Sequence, residues 1–271
     1  MPDIAIQVSH LMKSFGTKTV LEEINLDVYK GETLVILGGS GSGKSTLLRV
    51  MAGSICPDAG DVVIDGRSLY KMSEAELTEY RSRGIGVLFQ SGALFNSMTV
   101  YDNIALPLRE HTDLEESTID VIVKIKLELV GLRLHSDKMP AELSGGMKKR
   151  AGLARAMAMD PKILFYDEPS AGLDPVTSAE IDELIRDLNK KVGVTTVVVT
   201  HEMDSAKRIA DRMVLLDRGR FVVSGTVQEM FDSTDPLVRQ FVHGLTEGPL
   251  TERRKQSNYA EDLLTERREG A

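Results

Sequence analysis

Gly38, Gly39, Gly41 and Gly43, interleaved with Ser40 and Ser42 and followed by Lys44, Ser45 and Thr46, make the stretch GGSGSGKST. The spacing G-x-x-x-x-G-K-[ST] is that of a phosphate loop. Its glycines let successive backbone N–H groups curl around a triphosphate. Lys44 can then reach the β- and γ-phosphates, and the Ser45 hydroxyl can ligate Mg²⁺. In a chain of this composition a chance match is roughly a 1% event. The bland alternative, a glycine-rich surface turn, does not explain the context, because an apolar strand pattern, TLVIL, precedes the loop and a helix start follows it. A second apolar run, ILFYDE, ends on Asp167 and Glu168. There Asp167 would complete the magnesium shell, and Glu168 would orient or deprotonate an attacking water. A small-molecule kinase must exclude water, so the paired carboxylates favour hydrolysis of a bound nucleotide.

A second anion-binding pattern lies about a hundred residues further on. Ser144, Gly145 and Gly146 open a helix in LSGGMKKRAGLARA, with Lys148, Lys149 and Arg150 in its first turns. Free N–H groups and the helix dipole at such a terminus attract a negative charge. Glycines at a helix start imply that the backbone approaches something closely. One nucleotide does not need two phosphate sites.

These residues need a scaffold that brings strand ends together. Ile4, Ile6 and Val8 alternate, as do Ile24, Leu26 and Val28, so the N-terminal region reads as two-faced strands. Asp61 to Asp65 is a further strand closed by Asp65-Gly66, and Ser73 with Glu76 forms a capping box. GIGVLFQ returns to strand and ends on Gln90. From Thr99 to Ala158 helical periodicity takes over, including Ile119, Ile122, Val123, Leu127 and Val130. Strands resume at KILFYDE and VTTVVVT. Between them Asp174-Pro175 caps a helix carrying Ile181, Leu184, Ile185 and Leu188.

The chain has 271 residues, 42% of them hydrophobic and 27% charged, and a formal net charge of −8. That is ordinary globular composition, and nucleic acid is not an expected partner without a local basic patch. No apolar run approaches the roughly 18 residues of a membrane span, and the first residues carry no export signal, so a cytosolic protein is expected. The single cysteine, Cys56, is expected to be half-buried.

With GSGSGKST, LSGG and LFYDEP in this order, the chain resembles the ATP-binding subunits of ABC transporters over nearly its whole length. The resemblance implies an α/β fold. Its parts are a P-loop NTPase core of mainly parallel sheet with flanking helices, an N-terminal antiparallel β subdomain and an inserted α-helical subdomain. Residues 1–245 would form the ATPase domain, with the helical insertion at roughly 91–158, and 246–271 a polar tail. The resemblance also assigns roles. Phe15 would stack on adenine, although a core phenylalanine is a rival reading. Gln90 would touch the metal and the attacking water, and His201 the γ-phosphate. Ser170 to Asp174, SAGLD, would link two active sites across a dimer. Ser144, Gly145 and Gly146 would then cap ATP held by a second copy of the chain, packed head-to-tail. His10, His111, His135 and His243 fit no site pattern.

Met147 stands where the common signature has glutamine. Together with LFQSGALFNSMTVYDNIALPLREHT this is similar to the Mla/Mce-type ATPases, which drive lipid movement between bacterial inner and outer membranes. That resemblance implies ATP and Mg²⁺ as ligands and a site on the cytoplasmic side of the inner membrane, peripheral through a transmembrane permease. It also implies an MCE-domain substrate-binding protein and a small cytoplasmic accessory subunit as partners. Leu94, Phe95 and Met98 would either dock the permease or fill the helical core. In the tail, Tyr259, Leu263 and Leu264 would form a docking peptide or belong to plain disorder; its repeat of LTERR has no physical account. A rival function is an ABC-type ATPase that assembles complexes in the cytosol, for example in Fe–S cluster delivery. It shares every nucleotide motif and differs in lacking a permease.

Overall fold

The computed structural model describes residues 3–251. The alternation at the N-terminus becomes β1 (Ile4–Phe15) and β2 (Lys18–Tyr29), paired antiparallel with Ile6 opposite Val28 and Val8 opposite Leu26. β3 (Thr33–Leu37) runs into the glycine-rich loop, and α1 (Lys44–Met51) leaves it. β4 (Ala59–Ile64) returns to pair with β1. Asp65 and Gly66, both left-handed, then turn the chain into the two-residue β5 (Arg67–Ser68). α2 (Glu74–Gly84) starts at the Ser73–Glu76 capping box, and β6 (Ile85–Leu88) follows it directly. Three helices come next: α3 (Val100–His111), α4 (Glu116–Leu129) and α5 (Gly145–Ala156). The rest alternates strand and helix as β7 (Ile163–Asp167), α6 (Pro175–Val192), β8 (Thr195–Thr200), α7 (Met203–Ile209) and β9 (Arg212–Asp217). β10 (Arg220–Gly225), α8 (Val227–Phe231) and α9 (Pro236–His243) close it.

Two sheets result. One is antiparallel with the order β2-β1-β4-β5. The other has the order β10-β9-β3-β8-β7-β6, parallel throughout except for β10 at one edge. Successive side chains of a strand point to opposite faces. Leu34 and Ile36 of β3 therefore join Ile163 and Phe165 of β7 in a core shared with the antiparallel sheet and α1. Val35, Leu37, Leu164 and Tyr166 join a second core with α3, α4 and α5. Both faces are covered, which is why TLVIL and ILFYD read as unbroken apolar runs rather than as alternating ones.

Two expectations are corrected. β6 ends at Leu88, because it is an edge strand whose last paired residue is Leu88, opposite Tyr166. Gln90 therefore lies in the turn beyond it, exposed. Cys56 is exposed, not half-buried. At the other end, Gln240 of α9 holds the segment after that helix. Its amide donates to Leu245 O (3.2 Å) and Thr251 Oγ1 (2.7 Å), and its carbonyl accepts from Leu250 N (2.7 Å). Tyr259, Leu263 and Leu264, with the rest of 252–271, lie outside the described residues.

Candidate active site

The parallel strands β3, β7 and β8 end side by side, and each delivers one part of the site. At the end of β3 the loop closes on itself: Lys44 Nζ donates to Gly38 O (2.8 Å) and Gly39 O (3.1 Å). Gly43 caps α1 at φ +107°, and a Cβ there would lie 2.9 Å from Val20 O, so backbone conformation and space both demand glycine. The first amides of α1 have no partner one turn earlier in the helix and are free for a ligand. A cleft of about 500 Å³ opens here, lined by Gly41 to Thr46 together with Lys18, Thr19, Val20, Arg218 and Gly219. A larger concavity, about 910 Å³, lies elsewhere, around Arg67, Lys71, Tyr80 and Lys162. It has none of the phosphate-loop residues, so chemistry rather than volume identifies the site.

At the end of β7, Asp167 and Glu168 are both buried. Ser45 Oγ donates to Asp167 Oδ1 at 2.9 Å, which places a hydroxyl and a carboxylate on one spot. These are hard oxygen donors of the kind that suit Mg²⁺ when phosphate oxygens and waters fill its octahedron. The Glu168 carboxylate is held from β8. Thr200 Oγ1 and His201 N donate to Oε2 (3.0 and 3.3 Å), and His201 Nδ1 meets Oε1 at 2.9 Å. Lys44 Nζ stands 3.8 Å from the same Oε1. Burial pushes the Lys44 ammonium below its ordinary range, opposed by the negative charges of Glu168 and Asp167. An anionic phosphate would relieve that desolvation. Glu168 itself has φ +50°, a left-handed conformation costing on the order of 1–2 kcal/mol for a residue with a Cβ.

Ser144 and Gly145 are exposed, and Ser144 caps α5 by accepting from Met147 N (3.3 Å). Neither they nor Gly146 line the cleft around Lys44. The glycine pair is also crowded from within its own chain. A Cβ on Gly146 would lie 2.4 Å from Thr177 Cγ2, and one on Gly145 3.1 Å from Leu173 Cδ2. The helix start thus lies close to the SAGLD loop and the start of α6 in its own chain. Asp174 caps that helix by accepting from Val176 N and Thr177 N (both 3.1 Å). The Thr177 hydroxyl, which donates to its Oδ2, holds the carboxyl below the usual range.

Phe15 is 51% exposed, which removes the core reading. It is the register partner of Lys18, a lining residue of the cleft, and Lys13 Nζ lies 5.4 Å from its ring centre. Leu94 packs against the helical core, whereas Phe95 is half-exposed. Sequence reasoning missed Lys18, Arg218 and Gly219, whose place at the cleft arises only because β2 and the β9–β10 turn lean on the phosphate loop. Gly219 N donates to Ser42 O (3.0 Å), and a Cβ on Gly219 would lie 2.3 Å from Val20 O. It also missed Asn103, fully buried, which clamps the Phe95–Thr99 loop through Phe95 N and the carbonyls of Phe95, Met98 and Thr99. A lone Arg-Gly or Asn carries no motif that could have flagged it.

A phosphate loop at the end of a central parallel strand, with a carboxylate pair two strands away, defines a nucleotide-hydrolysing ATPase. The chain belongs to the ABC transporter family, whose model matches residues 21–171. It is 44% identical over 249 residues, 92% of each chain, to the Escherichia coli K12 intermembrane phospholipid transport system ATP-binding protein MlaF. It is 46% identical over 261 residues to a probable ribonucleotide transport ATP-binding protein, mkl, of Mycobacterium leprae, covering 96% of this chain and 75% of that one. Among solved structures, the ATP-binding cassette MJ0796, a dimer bound to ADP and Pi in a post-hydrolysis state, superposes with a TM-score of 0.76. Its sequence identity is 30%, over 82% of this chain and 98% of that one.

Proposed function

We propose that this ATPase powers a phospholipid transporter working between inner and outer membranes, held on the cytoplasmic face of the inner membrane by a transmembrane permease. The observation that carries this reading is the 44% identity over 92% of both chains to a phospholipid-transport ATP-binding protein. Among the described residues no helix is long and apolar enough to cross a membrane, and a transmembrane permease is the proposed anchor. The half-exposed Phe95 loop is the proposed contact with the permease. An MCE-domain substrate-binding protein and a small cytoplasmic accessory subunit complete the proposed assembly.

In the proposed cycle two copies sandwich two ATP molecules, each held by the phosphate loop of one chain and Ser144–Gly146 of the other. Lys44 exchanges the Gly38 and Gly39 carbonyls for the β- and γ-phosphates, and Phe15 stacks on the adenine. Ser45, Asp167 and Gln90 would hold Mg²⁺, which supplies charge neutralisation at the phosphate oxygens. Glu168 accepts a proton from water as its oxygen bonds to the γ-phosphorus and the bond to the β–γ bridging oxygen breaks, giving ADP and phosphate. His201 steadies Glu168 and faces the γ-phosphate, while Asp174 fixes the loop between the two sites.

Ribonucleotide transport is a second reading, carried by the 46% identity to the mycobacterial relative. Purification from detergent-solubilised membranes, followed by reconstitution with labelled phospholipid or ribonucleotide, separates the two. A multi-span permease that moves phospholipid on ATP addition supports the proposal. Nucleotide movement instead, or a purely soluble complex, overturns it.

A further inference from the structure

Of the three basic residues in the first turns of α5, Lys148 and Arg150 are half-buried and only Lys149 is buried. Burying an ammonium is costly, and a position needed only for packing would be apolar. Lys149 Nζ donates to Glu168 O at 2.9 Å, nineteen residues away in sequence. That carbonyl belongs to the left-handed Glu168 peptide, and it also accepts from Ala171 N at 3.3 Å. The amide on the other side of Glu168 still follows the sheet, donating to Val199 O at 2.9 Å. The backbone therefore leaves the sheet at Glu168, and Lys149 meets it where it leaves. Burial pushes the Lys149 ammonium below the ordinary lysine range, against the fields of Asp167, Glu168 and Glu202.

The same helix grips a second part of the site. Near its end, Arg155 donates to Gly92 O (3.1 Å) and Ala93 O (2.8 Å), in the turn that follows Gln90. A Cβ on Gly152 would lie 2.9 Å from Gly92 O, so helix and turn are in direct backbone contact. Ser144, Lys149 and Arg155 thus ride on one rod of about 18 Å.

We infer that Lys149 is a positioning residue for hydrolysis: its ammonium fixes the left-handed Glu168 peptide and ties the aim of that carboxylate to the signature helix. The inference rests on the reading of Glu168 as the group that activates water. A shift of α5, when Ser144 meets nucleotide on a second copy, reaches Glu168 through this hydrogen bond. Without the bond the peptide relaxes toward an ordinary φ, and the carboxylate leaves Thr200 and His201.

The test compares Lys149→Met, which keeps length and loses the donor, with Lys149→Arg, which keeps a charged donor, in the full-length chain. Lys149→Met should lower kcat by about tenfold to a hundredfold, the worth of a charge-assisted hydrogen bond. KM and ATP affinity should stay within about twofold, and Lys149→Arg should recover most of the rate. Should Lys149→Met fail to fold, Lys149→Leu, which also lacks the donor, is read by the same split. A kcat within about twofold of wild type in the neutral variant overturns the inference, as does a joint loss of kcat and ATP affinity that arginine does not rescue. Glu168→Gln, run in parallel, separates the failures. If it is nearly silent while Lys149→Met is unaffected, only the positioning role falls; if it turns over like wild type, the reading of Glu168 itself falls.

Discussion

Replacing Glu168 by glutamine removes a charge and a proton acceptor while leaving a side chain of nearly the same shape. Its amide oxygen can keep the bonds from Thr200 Oγ1 and His201 N, at 3.0 and 3.3 Å, and its NH₂ can donate to His201 Nδ1. The fold around the site should therefore survive. The Lys44 ammonium loses the opposite charge 3.8 Å away. At an effective dielectric of about 20 such a pair is worth on the order of 4 kcal/mol before desolvation is counted. Bound phosphates replace that charge and meet less repulsion in the variant, so affinity for ATP should be equal or tighter. Hydrolysis should fall by the usual worth of a general base, about 10²- to 10⁴-fold, which is about 3 to 5 kcal/mol of barrier. Phosphate release under single-turnover conditions at saturating Mg-ATP measures the rate, and equilibrium dialysis measures binding. Size-exclusion chromatography with Mg-ATP should show a trapped dimer. Near-wild-type turnover, or a chain that stays monomeric with ATP and its partners present, would refute the assignment.

Mixing Lys44→Ala with Ser144→Arg tests the head-to-tail arrangement. Each homodimer has two damaged sites, while the heterodimer regains one intact pairing and should occlude about one ATP. Doubly tagged heterodimers that occlude no more than either parent would count against it. Gly86→Ala would put a Cβ 2.3 Å from Ala156 O and 2.5 Å from Leu164 Cδ2, between β6 and the end of α5. Urea denaturation should show a loss of about 1–3 kcal/mol. Deleting 252–271 leaves the Gln240 contacts to Leu245, Leu250 and Thr251 in place, so ATP binding should be unchanged while complex assembly or lipid transport weakens. Unaltered assembly and transport would leave the tail without a docking role.

The sequence by itself determined the chemistry and much of the local structure. The spacing of Gly38 to Thr46, the strand that ends on Asp167 and Glu168, and the caps at Ser73, Ser144 and Asp174 depend on short stretches of chain, where backbone conformation and neighbouring side chains act within a turn or two. The unbroken apolar runs at β3 and β7 likewise announced a sheet covered on both faces. Other features were settled only by packing between distant segments. Gln90 falls beyond its strand because β6 is an edge whose pairing stops at Leu88. A Cβ on Gly146 would meet Thr177, thirty-one positions away. Lys18, Arg218 and Gly219 reach the cleft because two sheets converge on the phosphate loop. Lys149 reads in sequence as one of three basic residues opening an anion-binding helix, and only the fold turns it inward to the Glu168 peptide. Local propensities are short-ranged and written in consecutive residues, whereas these contacts join segments whose proximity nothing in either segment encodes.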